Sequence, residues 1–411
     1  MPKLIPTAKQ LKFLDWEVGM FFHFGIRTFN HGHKDWDGIE MPAETFQPKN
    51  LDCRQWLRAA KLIGAKYAIM PTKHHDGFAL WPSKYTGYSV AASSWRGGKG
   101  DVVKEFTEAC RAENMGVGLY YSPAQWGQSA VSFTEEKEYD DYFINQISEL
   151  LTNYGKIDYL WFDGCGSGGH KYDQKRIIAE IRRLQPDILI FGMWDPDTTW
   201  VGNEDGYAPL PNYYVREESV LGEKKQVFAP YECDCRIRKS WFFDLEERTL
   251  RSVDELIGMY EYSVGRGSNL LLNVGPDDNG QICPADVKRL TELGAEIAKR
   301  YGCPAEFGPL QQTDENTFAI EYTEQRKAEL GGPENYPLVS SVIISEDITR
   351  GQAIRKFRLY VRSGYYDMCV WNGETLGHKA IIRFPAIRVN KITLEILEAD
   401  GEYRVEDIKA Y

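Results

Sequence analysis

The sequence predicts an α/β protein, a (β/α)8-like barrel of the TIM type with room for irregularity, followed by a small C-terminal antiparallel β-sandwich. Over roughly the first 300 residues, short apolar runs alternate with amphipathic windows, the pattern of parallel strands joined by crossover helices. After Tyr301 the pattern changes to short alternating segments with polar turns between them. The 411 residues, 43% of them hydrophobic, are enough for two cores. We therefore predict a barrel domain over 1–305 and a sandwich domain over 306–411.

Each barrel element has its own local signal. The predicted strands lie near 18–24, 66–72, 117–122, 157–162, 188–192, 226–231 and 269–274. The predicted helices are 52–63, 101–114, 134–154, 173–184, 252–263 and 284–301, several of which start at Asp or Ser and stop at Gly. Between 192 and 226 no helix is predicted, because the segment is rich in turn-forming and aromatic residues. A loop this long in a compact domain is usually functional.

Composition excludes several classes of partner. The net charge is −11 and no Lys/Arg run resembles a phosphate-tracking stripe, so nucleic acid is not an expected partner. No stretch reaches the ~18 apolar residues of a membrane-spanning helix.

Eight scattered cysteines without a CxxC pair are typical of free thiols in a reducing compartment. We expect a cytoplasmic protein, or a periplasmic or secreted one if a signal segment was trimmed. The oligomeric state stays open.

The most informative stretch is Leu160–Gly164, an apolar run that ends in a carboxylate and breaks at a glycine. A short continuous apolar run favours a strand buried on both faces, and in a barrel the residue at its C-terminal end faces the active site. Asp163 is therefore the first candidate for chemistry. The alternative is that Asp163 only caps the following turn.

Other polar residues follow the first three predicted strands. His23 lies near the end of the first, His74 and His75 follow the second, and Tyr120 and Tyr121 end the third. Adjacent histidines at a strand end are poor core residues, because successive side chains point in opposite directions and at least one needs a polar partner. All of these residues would share one barrel rim with Asp163, and that convergence favours a functional site over a cap.

A histidine-rich rim also allows a metal-dependent hydrolase, with His31 and His33 as ligands on alternate positions. Such barrels need further imidazoles from later strands, and only His170 and His378 follow His75. Carboxylates can partly replace imidazoles, but the sequence favours a site without metal.

A rim of neutral donors around one carboxylate favours carbohydrate, since imidazoles and phenols bond hydroxyls and tryptophans cover apolar sugar faces. The candidate tryptophans are Trp36, Trp126, Trp161 and Trp200. Cleavage of a glycosidic bond normally needs a second carboxyl group. The downstream candidates are Glu204, Glu217, Glu218 and Glu232, each of which could equally be a solvated side chain.

At this point the motifs match a known family. The chain resembles the α-L-fucosidases of glycoside hydrolase family 29 over nearly its whole length. The matching elements, in family order, are Phe22–Gly25 followed by Asp35 and Trp36, Lys73–Phe78, Gly118–Ser122, Leu160–Gly164 and Gly267–Gly275. The resemblance implies cleavage of terminal α-L-fucose from oligosaccharides or glycoconjugates, with retention of configuration and without a cofactor.

By this resemblance Asp163 is the nucleophile that forms the fucosyl-enzyme. His23, His74, His75, one of Tyr120 and Tyr121, Trp36 and Trp161 correspond to the fucose pocket, with Asp35 where the family commonly has Glu. The segments Trp200–Gly206, Glu232–Trp241 and Gly377–Phe384 resemble the branch that prefers α-1,3 and α-1,4 linkages, which makes Glu204 the acid/base and places Trp200 and Glu232 at the substrate. Thr199 replaces a usual arginine, and cysteines interrupt 232–235. The main rival is a catalytically silent sugar-binding barrel.

Overall fold

The structure is a computed structural model of the chain and describes residues 4–32, 36–126, 136–247 and 249–411. The strands before residue 300 are β1 (Val18–Phe21), β2 (Tyr67–Lys73), β3 (Gly116–Tyr121), β4 (Tyr159–Phe162), β5 (Leu189–Phe191), β6 (Thr199–Trp200), β7 (Val215–Val220), β8 (Glu223–Phe228), β9 (Tyr231–Arg236) and β10 (Asn269–Asn273). Eight of them form one parallel sheet in the order β5-β4-β3-β2-β1-β10-β9-β6. A parallel bridge between Phe191 and Thr198 joins its two edges. The sheet is therefore a nearly closed barrel, as predicted.

Helices cover the outside of the barrel and one precedes its first strand. They are α1 (Ala8–Trp16), α2 (Cys53–Lys61), α3 (Val102–Ala112), α4 (Glu136–Asn153), α5 (Gln174–Leu184), α6 (Val253–Ser263) and α7 (Pro284–Tyr301), with α8 (Glu324–Leu330) in the C-terminal region. The predicted starts have a physical basis, because Asp52, Asp101 and Ser252 each accept a hydrogen bond from a backbone N–H in the first turn. None of the described helices is long and apolar enough to cross a bilayer.

The region from 192 to 236 departs from the prediction. The strand expected at 226–231 is wrong, since β8 ends at Phe228 and the barrel strand β9 begins only at Tyr231. The segment expected to be a loop contains the two-residue strand β6 and the antiparallel hairpin of β7 and β8. A two-residue strand has no readable period, and the hairpin is largely polar, so neither gives an apolar signal. The barrel is thus irregular on the side where the helix is replaced by a hairpin.

Side chains of the barrel strands alternate between two cores. Phe21, Tyr67 and Tyr120 pack inside the barrel, whereas their neighbours Phe22 and Tyr121 pack outward against the helices. This is the two-residue period of a strand with both faces buried. The alternation decides which residue at each strand end points into the barrel mouth.

The C-terminal region is antiparallel. Its strands are β11 (Gln311–Asp314), β12 (Thr317–Glu321), β13 (Leu338–Glu346), β14 (Ile354–Ser363), β15 (Tyr366–Gly373), β16 (Ala380–Arg388), β17 (Lys391–Ala399) and β18 (Val405–Ala410). They form a five-stranded and a three-stranded sheet around a separate apolar core. The backbone N–H of Ile381 donates to Gly265 O at 2.9 Å, and Lys379 pairs with Glu17 at 2.6 Å. Since Glu17 precedes β1 and Gly265 precedes β10, these sheets dock at the barrel end where the strands begin.

Candidate active site

A cavity of about 460 Å³ opens at the carboxyl ends of the barrel strands. Its lining includes seven predicted residues: His23, His74, Tyr120, Trp161, Asp163, Trp200 and Glu204. It also includes Phe21, Phe162, Gly164, Cys165, Phe191, Gly192, Met193, Asp234 and Trp241. All of these belong to the barrel, and the C-terminal sheets lie at its opposite end. The cavity is large enough for one sugar ring and part of its neighbour.

Asp163 lies at the end of β4, where the strand stops and Gly164 follows. One carboxylate oxygen, Oδ1, accepts a hydrogen bond from the backbone N–H of Cys165 at 2.8 Å. The other, Oδ2, accepts from the Tyr120 hydroxyl at 2.7 Å and lies 3.3 Å from His75 Nε2. The residue therefore caps the turn with one oxygen and presents the other to a set of polar side chains. The capping interpretation therefore describes Oδ1, and the catalytic role of Asp163 stays a prediction.

The surroundings of Asp163 stabilise its ionised form. Burial alone would raise the pKa of this carboxyl, but His75, the Cys165 N–H and the Tyr120 hydroxyl together lower it below its usual value. The side chain keeps a 25% exposed fraction on the cavity side. An ionised and accessible carboxylate is what a nucleophile requires.

Two buried histidines form the wall next to Asp163. Nδ1 of His23 lies 2.8 Å from Oδ1 of Asn273, which accepts from it, and burial lowers the pKa of His23 to about 3. The His74 ring stacks on Tyr120 with an interplanar angle of 9°, and burial also holds its pKa well below the usual value. Both imidazoles are neutral at physiological pH, so each offers a donor and an acceptor to hydroxyl groups.

Behind the carboxylate, His75 is fully buried between Asp163 and Ser122, whose Oγ lies 2.6 Å from Nδ1. The ring of Trp36 lies 5.0 Å from that of His75, and the same indole packs on Gly166 in the turn after β4. Trp36 is thus at the rim and does not line the cavity itself. The predicted Asp35, like His33, lies outside the described residues.

The pair of tyrosines at the end of β3 divides between the two faces of the strand. Tyr120 points inward and contacts Asp163. Tyr121 points to the helix layer, where its hydroxyl donates to Gln146 Oε1 at 2.7 Å and its ring packs on Phe143. The substrate contact predicted for one of the two residues is therefore open only to Tyr120.

Glu232 does not reach the cavity, and its predicted contact with substrate is corrected. It lies within the barrel beneath Trp161, fully buried, and its carboxyl group accepts hydrogen bonds from Trp161 Nε1 at 2.7 Å and Tyr159 OH at 3.1 Å, and from the hydroxyl of Tyr67. Burial raises its pKa to about 7 against these bonds. Alternate side chains of β9 point into the barrel, and Glu232 is one of them. Because it is the second residue of the strand, it lies below the rim. Glu232 supports the indole of Trp161, which faces the cavity above it.

Of the four candidates for the second carboxyl group, Glu204 alone lines the cavity. It lies on the loop after β6 with a 44% exposed side chain, and Arg236 Nη2 at the end of β9 lies 3.2 Å from its Oε2. Glu217 and Glu218 lie on β7, where Glu217 pairs with Lys224 at 2.8 Å. The cavity thus brings two of the predicted carboxyl groups, those of Asp163 and Glu204, to one space.

Among the residues that sequence reasoning missed, Asp234, Trp241 and Asn273 hold the polar groups of the site in place. Asp234 is buried in the cavity wall and accepts a hydrogen bond from Trp200 Nε1 at 2.7 Å. Trp241 lies 4.8 Å from the His23 ring, and Asn273 donates from Nδ2 to the Trp241 carbonyl at 2.7 Å. The available signals were the polar residues at alternate positions of Tyr231–Arg236 and the asparagine that ends β10, which appear in the motifs but had no assigned role.

Within the described ranges, one group of side chains has the spacing of a metal site. His74, His75 and Asp163 each offer a ligand atom, and these atoms lie within 4.8 Å of one another. Two imidazoles and a carboxylate are donors that zinc accepts. Asp163 accepts a hydrogen bond from Tyr120 and lies 3.3 Å from His75 Nε2, and the His74 ring stacks on Tyr120, so the arrangement is equally that of a hydrogen-bonded nucleophile. The expected absence of a metal stays a prediction.

Comparison with known proteins adds an independent finding. A family model for α-L-fucosidase matches residues 6–302. Alpha-L-fucosidase 1 of Arabidopsis thaliana is 34% identical over 92% of this chain and 82% of its own. A glycoside hydrolase 29 family member from an unknown rumen bacterium has a TM-score of 0.87 at 31% identity, covering 100% of this chain and 78% of that one. A GH29 fucosidase of Ruminococcus gnavus in complex with fucose has a TM-score of 0.82 at 25% identity, covering 100% and 95%.

Proposed function

The chain belongs to the α-L-fucosidase family, and from that premise we propose that it is a retaining exo-α-L-fucosidase. Its substrates would be oligosaccharides or glycoconjugates that end in α-1,3- or α-1,4-linked L-fucose. The observation that carries the proposal is the pair of carboxyl groups in one cavity: Asp163, held ionised at the end of β4, and Glu204, on the loop after β6. A retaining glycosidase needs one carboxylate as nucleophile and a second carboxyl group as acid and base, about 5–5.5 Å apart.

In the first step Asp163 Oδ2 attacks the anomeric carbon of fucose, and the bond to the leaving oxygen breaks. Glu204 gives its proton to that oxygen, so the leaving sugar departs as an alcohol. The bond that Tyr120 donates to Oδ2 keeps this oxygen on the cavity side of the turn. The product of the step is a β-fucosyl ester of Asp163.

In the second step water cleaves the ester. Esterification removes the negative charge of Asp163, so Glu204, now deprotonated, acts as a base and takes a proton from the attacking water. Two inversions at the anomeric carbon give net retention. Arg236 lies beside Glu204 and compensates the charge that the residue carries between the two steps.

Recognition of the sugar would use the two neutral histidines of the cavity and its aromatic rings. In His23 the Nδ1–H is engaged by Asn273, which leaves Nε2 as an acceptor for a hydroxyl group. His74 adds a second neutral imidazole. The rings of Phe21, Trp161 and Trp241 give an apolar surface that suits the methyl group of a 6-deoxy sugar. The fucose bound in the Ruminococcus gnavus relative supports a fucosylated substrate for this chain as well.

Linkage preference would depend on the wall formed by the loop after β6. Trp200 has a 44% exposed fraction at the edge of the cavity, where the sugar next to fucose would lie. An exposed indole with its Nε1–H fixed can stack on the apolar face of that sugar. The resemblance of the Trp200–Glu204 segment to the α-1,3/1,4-preferring branch supports this preference.

Two assays test the proposal. An aryl α-L-fucoside should be hydrolysed, and proton NMR during the first minutes should detect α-L-fucose before mutarotation produces the β anomer. In a panel of fucosylated disaccharides, kcat/KM should be highest for α-1,3- and α-1,4-linked GlcNAc. Initial release of β-L-fucose would exclude the retaining mechanism, and absence of hydrolysis with measurable fucose binding would favour the silent sugar-binding barrel. A preference for α-1,2 or α-1,6 linkages would exclude only the assignment of linkage.

A further inference from the structure

A third carboxyl group, that of Asp234, lies in the cavity wall and has no role in the two steps described above. The residue occupies the middle of β9, and only 4% of its surface is exposed. Oδ1 accepts a hydrogen bond from Trp200 Nε1 at 2.7 Å. Burial of a carboxyl group is costly unless the group is hydrogen-bonded, and the half-exposed indole of Trp200 supplies such a bond.

The indole in this pair belongs to the strand that begins the acid/base loop. Trp200 is the last residue of β6, and Glu204 follows four positions later. Backbone pairing fixes only a short length of this strand, because β6 has two residues, which pair with Tyr231 and Glu232 of β9. Beyond it the Val201 N–H donates to Glu232 O at 3.2 Å, and after that the loop turns at Gly202 with φ +92°.

Past this turn, side chains of the loop form hydrogen bonds within the loop. Asn203 Oδ1 accepts from the Asp205 N–H at 3.0 Å, and Asn203 Nδ2 donates to the Tyr207 carbonyl at 3.0 Å. These bonds fix the shape of the loop but do not fix its position over the cavity. Two side-chain contacts join the start of the loop to the barrel wall, the Arg236–Glu204 pair and the Trp200–Asp234 bond. The far end of the loop is held where Gly206 packs on Cys235 and where the Ala208 N–H donates to Tyr262 O at 2.8 Å.

The charge state of Asp234 suits a structural partner of the indole. Burial raises the pKa of Asp234 to about 8; the bond from Trp200 opposes this rise, while the negative charges of Glu204 and Glu232 add to it. At neutral pH the group is therefore mostly protonated, and it accepts the indole N–H without placing a further negative charge beside Glu204.

We propose that Asp234 is a positioning residue for the acid/base, which acts through Trp200 to fix the start of the loop that carries Glu204. The proposal rests on the function proposed above. Its consequence is specific: loss of the bond should impair proton transfer to the leaving group and leave the attack of Asp163 intact.

The test is a double-mutant cycle on this bond, with two leaving groups. Trp200→Phe removes the donor and keeps most of the ring, Asp234→Ala removes the acceptor, and the third variant combines both. For an α-1,3-fucosyl-GlcNAc substrate, each single change should lower kcat by about 10- to 100-fold. Because both changes remove the same bond, the kcat of the double variant should be no lower than that of the less active single variant. For an aryl fucoside with a good leaving group, the burst rate of fucosylation should stay within about threefold, because departure of such a group needs little acid help.

A conservative variant and a matched control complete the design. Asp234→Asn keeps both the volume and an Oδ1 acceptor, so it should recover activity to within a few-fold of the unaltered enzyme. Loss of packing at position 234 is tested separately by Trp200→Phe, which removes the bond and leaves Asp234 in place. Trp81→Phe removes a comparable indole-to-carboxylate bond, from Nε1 to Glu149 Oε2 at 2.9 Å, at a site away from the cavity, and should leave both kinetic constants unchanged.

Three results would overturn the proposal: multiplicative losses in the double variant, equal losses for both leaving groups, or an Asp234→Asn variant as impaired as Asp234→Ala. If Asp234→Ala does not fold, the comparison of Trp200→Phe with Asp234→Asn gives the same discrimination. Failure of the unaltered enzyme to hydrolyse any α-L-fucoside would instead contradict the function on which the proposal rests.

Discussion

The two carboxyl groups of the cavity are held in different ways. Asp163 follows a barrel strand, and its oxygens are engaged by a backbone N–H of the adjacent turn, by Tyr120 of the neighbouring strand β3 and by His75 after β2. Glu204 lies on a loop, is 44% exposed, and pairs with Arg236 of the barrel. The nucleophile is thus fixed by the sheet itself, whereas the acid/base depends on side chains that hold a loop.

This difference matches the two roles. A nucleophile attacks one carbon along one line, so a rigid position lowers the barrier. An acid/base must first reach the leaving oxygen and then a water molecule, so its loop has to accommodate two partners. We therefore expect substitutions around Asp163, after β4, to lower kcat for every substrate alike. The effect of substitutions around Glu204, after β6, should depend on the leaving group of the substrate.

The largest expected loss of kcat follows removal of the nucleophile, which the sheet holds in place. Asp163→Ala should lower kcat by about 10⁴-fold or more for aryl fucosides and glycans alike, because the bond-forming group is removed. The thermal unfolding midpoint should change little, since the residue lies at the cavity surface. Added azide should restore part of the activity and give β-fucosyl azide. Glu217→Ala, which removes an exposed carboxylate on the hairpin, is the control; equal turnover in both variants would exclude Asp163 from the mechanism.

Glu204→Ala, unlike Asp163→Ala, should affect substrates according to their leaving groups. Hydrolysis of an α-1,3-fucosyl-GlcNAc substrate should fall by about 10²- to 10⁴-fold, because its basic leaving oxygen needs the acid. The covalent intermediate should still form from an activated aryl fucoside and then accumulate, and azide should release it as α-fucosyl azide. If Glu204→Ala hydrolyses the natural linkage normally while Glu232→Ala shows this leaving-group dependence, the acid/base assignment is wrong.

A smaller effect distinguishes the two tyrosines of β3. Tyr120→Phe removes a bond to the ionised form of Asp163, so it should lower kcat by about 10- to 100-fold. It should also raise the pKa of Asp163, and the acid limb of the kcat/KM profile should move to higher pH. Tyr121→Phe loses only the bond to Gln146 and should cost about 1 kcal/mol of stability without changing the pH profile. An unchanged acid limb in Tyr120→Phe, or a shifted one in Tyr121→Phe, would contradict the placement.

Removal of metal should have no effect. His74, His75 and Asp163 have the spacing of a metal site, but in the proposed mechanism they serve as hydrogen-bonding groups and nucleophile. Turnover after dialysis against EDTA should equal that of the untreated enzyme, and elemental analysis should find no stoichiometric zinc. Bound zinc together with EDTA-sensitive turnover would favour a metal-dependent hydrolase.

Sequence was sufficient where local patterns determine the structure. The strand ending at Phe162 places Asp163 at the barrel mouth because a continuous apolar run determines both the strand and its end. His23 and His74 follow from the same rule on β1 and β2. The choice between Tyr120 and Tyr121 could not be made, since a shift of one residue in register exchanges the two faces.

Sequence was insufficient where the structure depends on distant side chains. The two-residue strand β6 forms only because β9 pairs with it, and no local period announces it. Asp234 and Glu232 are both acidic residues of β9, yet one reaches the cavity wall and the other lies beneath Trp161. Their separate roles follow from the three-dimensional partners Trp200 and Trp161, which local spacing does not determine.

The central claim, that Asp163 forms a covalent bond to fucose, is tested most directly by trapping the intermediate. A 2-deoxy-2-fluoro-L-fucosyl fluoride slows both steps through its electron-withdrawing substituent, while the fluoride leaving group keeps the first step accessible. Peptide mass spectrometry of the inactivated enzyme should find one fluorofucosyl group per chain, on Asp163, and fragmentation should distinguish it from the neighbouring Cys165. An adduct on another residue, or no adduct in an enzyme that hydrolyses ordinary fucosides, would contradict the account.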